Sequence, residues 1–131
     1  MYQILGTAAH IFEKFECYDV GISETHHKLK SDSPSGTALA LGQIILHNIR
    51  RKKEVLHDTA HTPIKPDQLH ITSTRVGHVT GLHRVVFDSE ADSIELVHTA
   101  KNRKGFALGA LLAAEWLRGK KGIYTMKDVL A

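Results

Sequence analysis

Cross-linking chemistry is almost missing from this chain. Its 131 residues include one cysteine, Cys17, so no internal disulfide can form. A thiol left alone in this way fits a reducing compartment, and the expected location is cytoplasmic. Long apolar runs are missing too. Nowhere do about 18 apolar residues follow one another, so no membrane-spanning helix is expected. The opening residues, with His10, Glu13 and Lys14, lack the basic-then-apolar pattern of a secretory signal. Two motifs are absent. There is no Gly-x-Gly-x-x-Gly turn of the kind that cradles a dinucleotide, and no His-Glu-x-x-His helix or cysteine-histidine spacing, so no metal is expected. Aromatic residues make up 6%, and basic residues exceed acidic ones by only 17 to 14. That is too little stacking surface and too small an excess for nucleic acid to be an expected partner. What is present is a globular composition, 42% hydrophobic and 24% charged, without repeats or low-complexity tracts. The length makes one domain, 1–131, able to bury roughly 65–70% of its unfolded surface.

The chemistry gathers in one stretch. From Glu24 to Ala38 the chain reads Glu-Thr-His-His-Lys-Leu-Lys-Ser-Asp-Ser-Pro-Ser-Gly-Thr-Ala. His26, His27, Lys28 and Lys30 stand directly before a Pro34-Ser35-Gly36-Thr37 turn that opens onto an apolar, helix-like run. Pro34 fixes φ and ends any earlier element. Ser33 or Ser35 supplies an N-cap oxygen. Gly36 lets a ligand come close to the backbone, and Thr37 adds a hydroxyl donor. The first N–H groups of a helix lack internal partners and carry partial positive charge, so a carboxylate or phosphate binds well there. The alternative is a plain cap with nothing bound. Neighbouring residues of a strand face opposite ways, so His26 and His27 do not both serve one atom. A histidine and a lysine beside a carboxylate site suit general-acid chemistry on an anionic substrate.

Periodicity places this stretch in a mixed α/β pattern. Tyr2 to Phe15 repeats its apolar residues at helical spacing, and Cys17 to Thr25 alternates as a strand that delivers the histidines at its end. Ser35 to Arg51 reads as a helix with Leu41, Ile44, Ile45 and Ile49 on one face. The Arg50-Arg51-Lys52-Lys53 run reads as its solvated end. Lys52 to Asp67, with Pro63 and Pro66, reads as a long loop. Leu69 to Val76, Leu82 to Ser89 and Ser93 to Ala100 read as strands, with hairpin turns expected at Gly77–Gly81 and Ser89–Asp92. Lys104 to Arg118 reads as a helix ended near Gly119, and Met126 to Leu130 as a final short turn. Thr72, Thr74, Val76, Val86, Val97 and Thr99 give the sheet a β-branched second face suited to packing against another subunit.

The run His26-His27-x-x-Lys30-x-Asp32-x-Pro34-Ser35-Gly36-Thr37-Ala38 closely resembles the signature of the dihydrodipicolinate reductase family. Arg75-Val76-Gly77, Gly81-Leu82-His83, the segment Ile94 to Ala100, Arg103, Phe106-Ala107-x-Gly109-Ala110 and the end from Trp116 to Leu130 extend the resemblance over nearly the whole chain. The family usually has alanine where Ser33 stands. The resemblance implies the family's C-terminal fold: α+β, a mixed, largely antiparallel sheet of about four strands with helices on one face. It implies the substrate-binding and oligomerisation domain of a homotetramer, without the N-terminal dinucleotide-binding domain. It implies reduction of 4-hydroxy-tetrahydrodipicolinate to tetrahydrodipicolinate by NADH or NADPH in the full-length enzyme, on the diaminopimelate route to lysine. By the same resemblance His26 is the proton donor and Lys30 the second catalytic residue. His27 contacts one substrate carboxylate, Ser35, Gly36 and Thr37 grip the other, and Arg103 and Phe106 face the cofactor. The remaining histidines, His83 and His98 among them, read as surface or structural residues. A purely structural oligomerisation module without ligand binding is the competing reading.

Overall fold

The computed structural model describes residues 1–131. The chain forms two compact units, Met1–Thr99 and Ala100–Ala131. The first contains helix α1 (Tyr2–Phe12), strand β1 (Asp19–His26), helix α2 (Gly36–Asn48), and strands β2 (Glu54–Leu56), β3 (Gln68–Arg75), β4 (Leu82–Asp88) and β5 (Ser93–Thr99). The second contains helices α3 (Lys104–Trp116) and α4 (Met126–Val129).

The five strands of the first unit lie in the order β2-β3-β1-β4-β5. β2 and β1 run parallel to β3, while β4 is antiparallel to both β1 and β5. The α+β class agrees with the sequence reading, but the sheet is evenly mixed and has five strands. The added strand, β2, lies in the segment expected to be a loop. A second correction explains it. Lys52, expected to be solvated, has a side chain only 1% exposed. Its ammonium donates to the carbonyls of Pro66 at 2.9 Å and Gln68 at 2.8 Å and pairs with Asp19 at 2.6 Å. A buried lysine must have all its donors met, and meeting them brings residues 52–56 alongside the start of β3. A third correction concerns Gly77–Gly81. It is no hairpin: β1 lies between β3 and β4, so the turn steps across the end of β1. Ser89–Asp92 does close the β4–β5 hairpin, with the Ser89 amide donating to the Asp92 carbonyl at 2.9 Å.

One face of the sheet carries the core. Alternation puts Val20 and Ile22 of β1, Leu69 and Ile71 of β3, and Val85 and Phe87 of β4 on the same side, all buried. Register sets Ile22 between Ile71 and Val85, and Val20 beside Phe87. Leu5 and Ala9 of α1 and Ala38, Leu41 and Ile45 of α2 join them. Phe12 of α1 stacks on Phe87 with ring centroids 4.2 Å apart. The helical spacing that predicted α1 and α2 is the spacing that packs them here.

Helix and sheet meet closest at Gly42 of α2. A Cβ there would lie 3.1 Å from Ile71 Cδ1 and 3.5 Å from Val55 Cγ2. Gly42→Val is therefore expected to destabilise the chain by about 1–3 kcal/mol through overpacking, measurable as a lowered midpoint in urea unfolding.

Candidate functional site

The core face of the sheet changes character along its length. Beyond Ile22 and Ile71, the next inward residues of β1 are Glu24 and His26, and those of β3 are Ser73 and Arg75. Register sets Glu24 between Ser73 and His83, with His98 on the far side of His83. His26 stands beside Arg75. One rung of the sheet is therefore polar from β3 to β5, and it abuts the apolar core directly.

Glu24 is 1% exposed, and its carboxylate is the hub. Oε1 accepts from Arg75 Nη2 at 2.7 Å and from the Ser35 amide at 3.1 Å. Oε2 meets His26 Nδ1. Burial by itself would raise the Glu24 pKa, but hydrogen bonds from Arg75 and the Ser35 amide, with the Ser73 hydroxyl nearby, outweigh it and hold the carboxyl at about 2. Ser35 caps α2, its hydroxyl accepting from the Ala38 amide at 3.2 Å. The same hydroxyl lies 3.1 Å from His83 Nε2. Burial, with repulsion from His26, pushes the His83 pKa down to about 4, so its imidazole is neutral at physiological pH and can accept the serine proton.

The loop between β1 and α2 is stitched to the end of β3. The Val76 amide donates to the His26 carbonyl at 2.9 Å, the Lys28 amide to Gly77 at 3.2 Å, and Arg75 Nη2 to the Asp32 carbonyl at 2.6 Å. Gly77 supplies the positive φ, +50°, that this crossing turn uses.

The residues expected to form a site fall into three groups. His26 and Ser35 are buried and joined through Glu24. Ser35 thus has both its amide and its hydroxyl engaged inside the chain. His27, Lys30 and Thr37 are half-buried and Gly36 is exposed; Lys30 Nζ pairs with Asp32 at 2.6 Å. Gly36 is not required by the chain's own packing, since its φ is not positive and a Cβ there would meet nothing within 4 Å. Arg103, just before α3, and Phe106, 65% exposed, belong to the second unit. Glu24, Arg75 and His83 are participants that the sequence reading did not assign. The signal for Glu24 was its place in the inward series Val20, Ile22, Glu24, His26. An ionised side chain in a buried series needs a partner.

Glu24, His26 and His83 each offer a potential ligand atom within 4.8 Å of the others. The Arg75 guanidinium, bonded to Glu24 Oε1 beside them, repels a metal cation. The cluster adjoins the start of α2, where Gly36 is exposed and Lys30 lies close by in sequence. Fold and site together define an α+β domain with a buried polar cluster beside a capped helix start.

Comparison with known proteins places the chain in a family. The family described as dihydrodipicolinate reductase, C-terminus, matches residues 1–130. The 4-hydroxy-tetrahydrodipicolinate reductase of Christiangramia forsetii is 47% identical over 123 residues, covering 94% of this chain and 50% of that protein. The Aquifex aeolicus enzyme of the same name is 39% identical over 131 residues, covering 99% and 49%. A dipicolinate-bound dihydrodipicolinate reductase from Paenisporosarcina sp. TG-14 shares the fold, with a TM-score of 0.72 at 23% identity over 97% of this chain and 49% of that one. The chain belongs to the dihydrodipicolinate reductase family, to its C-terminal part, and spans about half the length of the curated relatives it matches.

Two outcomes follow from the hub. Arg75→Met alone strands a buried carboxylate and is expected to cost about 3–5 kcal/mol, whereas Glu24→Leu with Arg75→Met removes both charges and costs far less. Urea unfolding of the two variants measures the difference. The second concerns acid. His83 has a folded pKa of about 4 below an ordinary 6.5, and Glu24 one of about 2 below 4.5. For both groups the unfolded chain binds protons first as pH falls. The His83 contribution is complete above pH 6.5 and lost towards 4, and the Glu24 contribution is complete above 4.5 and lost towards 2. His83→Gln should flatten the loss of stability in the upper window and leave the lower one, as read by urea midpoints across pH.

Proposed function

We propose that this chain is the substrate-binding and oligomerisation part of a 4-hydroxy-tetrahydrodipicolinate reductase. The observation that carries the reading is the meeting of His26 with the capped start of α2 through Glu24 and Ser35, in a chain 47% identical to an enzyme of that name. The substrate carries two carboxylates. One is held at the first turn of α2 by the backbone around Gly36 and the Thr37 hydroxyl; Ser35 acts by capping the helix and fixing its start. The other is met by His27 and Lys30. A ligand carboxylate displaces Asp32 from Lys30, since both compete for one ammonium. His26 supplies the proton as general acid, and Lys30 neutralises substrate charge. The dipicolinate named with the structural relative, a planar dicarboxylate, supports a two-carboxylate site here.

The hydride donor in such an enzyme is NADH or NADPH. No glycine-rich strand-turn-helix of the kind that cradles a dinucleotide is present in this chain. The cofactor then belongs to the half of the relatives that this chain does not match, with Arg103 and Phe106 contributing from α3, and the chain alone has no turnover. Assembly as a homotetramer uses the outer sheet face, where Thr72, Thr74, Thr99 and Val97 are exposed. A cytoplasmic setting and a role in lysine biosynthesis complete the proposal.

Gly36 gives the sharpest test. Gly36→Ala is expected to leave stability unchanged or raised by about 0.4–1 kcal/mol, because open space surrounds the position. It should nevertheless weaken binding of pyridine-2,6-dicarboxylate at least tenfold in isothermal titration, as should Lys30→Met. A dicarboxylate bound equally by wild type and both variants would lie elsewhere on the chain and would remove the reading.

A further inference from the structure

The Glu24 carboxylate does more than neutralise Arg75. It is held from two directions: by Arg75 of β3 and by the amide of Ser35 at the start of α2. The oxygen left over, Oε2, meets His26 Nδ1. An ionised carboxylate is only an acceptor, so the proton between the two belongs to the imidazole. Which nitrogen of a histidine carries its proton is set by the hydrogen bond the other group imposes on it.

We propose that Glu24 is a positioning residue for His26: it holds the imidazole proton on Nδ1, fixes the ring, and leaves Nε2 as the nitrogen that exchanges a proton with the ligand. The inference rests on the reading of His26 as proton donor and adds what prepares it. The groups around the pair are consistent with this role. Arg75 and Ser73 face it from β3, His83 from β4 with His98 beyond it on β5, Ser35 from the cap of α2, and Lys30 and Asp32 from the loop. Glu24 is the one carboxylate touching His26, and no other acidic side chain shares its rung. The same Oε1 that steadies Glu24 also anchors the Ser35 amide, so the ring and the helix start keep a fixed relation.

The test is nuclear magnetic resonance of the 131-residue chain labelled with ¹⁵N in histidine. Long-range proton–nitrogen correlations report the tautomer of each neutral ring. Wild-type His26 is expected as the Nδ1–H tautomer, with a downfield, slowly exchanging Nδ1 proton. The Glu24→Leu, Arg75→Met double variant removes both charges together and keeps the fold; there His26 should lose the downfield proton and populate the Nε2–H tautomer. Should the variant not fold, the wild-type tautomer still decides. An Nε2–H ring in wild type, or an unchanged signature in the folded variant, overturns the assignment to Glu24. Titration of the wild type with pyridine-2,6-dicarboxylate reads the other proposal separately. Absent binding with the Nδ1–H tautomer intact counts against the substrate reading, and the wrong tautomer with binding intact counts against Glu24.

Discussion

A single buried carboxylate organises this domain. Glu24 lies in a strand whose inward neighbour, Ile22, belongs to the hydrophobic core, and it is itself 1% exposed. An unpaired charge there would cost many kcal/mol. The structure meets that cost with a guanidinium, a backbone amide and an imidazole. Each partner comes from a different place: β3, the start of α2, and the end of β1. Satisfying one charge therefore fixes the relation of two strands to a helix start. The positions of His26, of the β1–α2 loop and of the Ser35 cap all follow from it.

The core and the site are one surface. Along β1 the inward residues pass from Val20 and Ile22 to Glu24 and His26, and β3 passes in step from Leu69 and Ile71 to Ser73 and Arg75. The apolar half binds α1 and α2 through burial. The polar half, two residues further, holds its groups through hydrogen bonds in the low dielectric that the core provides. That environment strengthens the interactions and also makes them obligatory. It explains why His83 stays neutral and why Arg75, with its side chain 17% exposed, makes its contacts inward. The Lys30–Asp32 pair, by contrast, is open to solvent.

Much of this was legible before any coordinates. The Pro-Ser-Gly-Thr turn signals a capped helix start, and Ser35 is the cap. Helical spacing marks Leu41, Ile44, Ile45 and Ile49 as one face; three are buried and Ile44, half-buried, packs against the core. Strand alternation puts His26 and His27 on opposite sides, and His26 is the buried one. Resemblance to a reductase family marks His26, Lys30 and the turn as a site. The family is now supported by similarity over nearly the whole chain.

Periodicity, capping and motif spacing are local quantities, and they marked most of the helices and strands, which side of each faces inward, and the capped start of α2. They carry no information about which strand lies next to which. Gly77–Gly81 looked like a hairpin because its glycines permit one, yet β1 separates β3 from β4. Lys52 looked like a solvated helix end, yet the carbonyls of Pro66 and Gln68, brought back by the chain, bury it. Glu24 and Arg75 are 51 residues apart, and their pairing exists only once the parallel β1–β3 register is formed. Long-range register is decided by the summed packing of the whole sheet face, and with it the partners that turn an ordinary strand glutamate into the hub of the site.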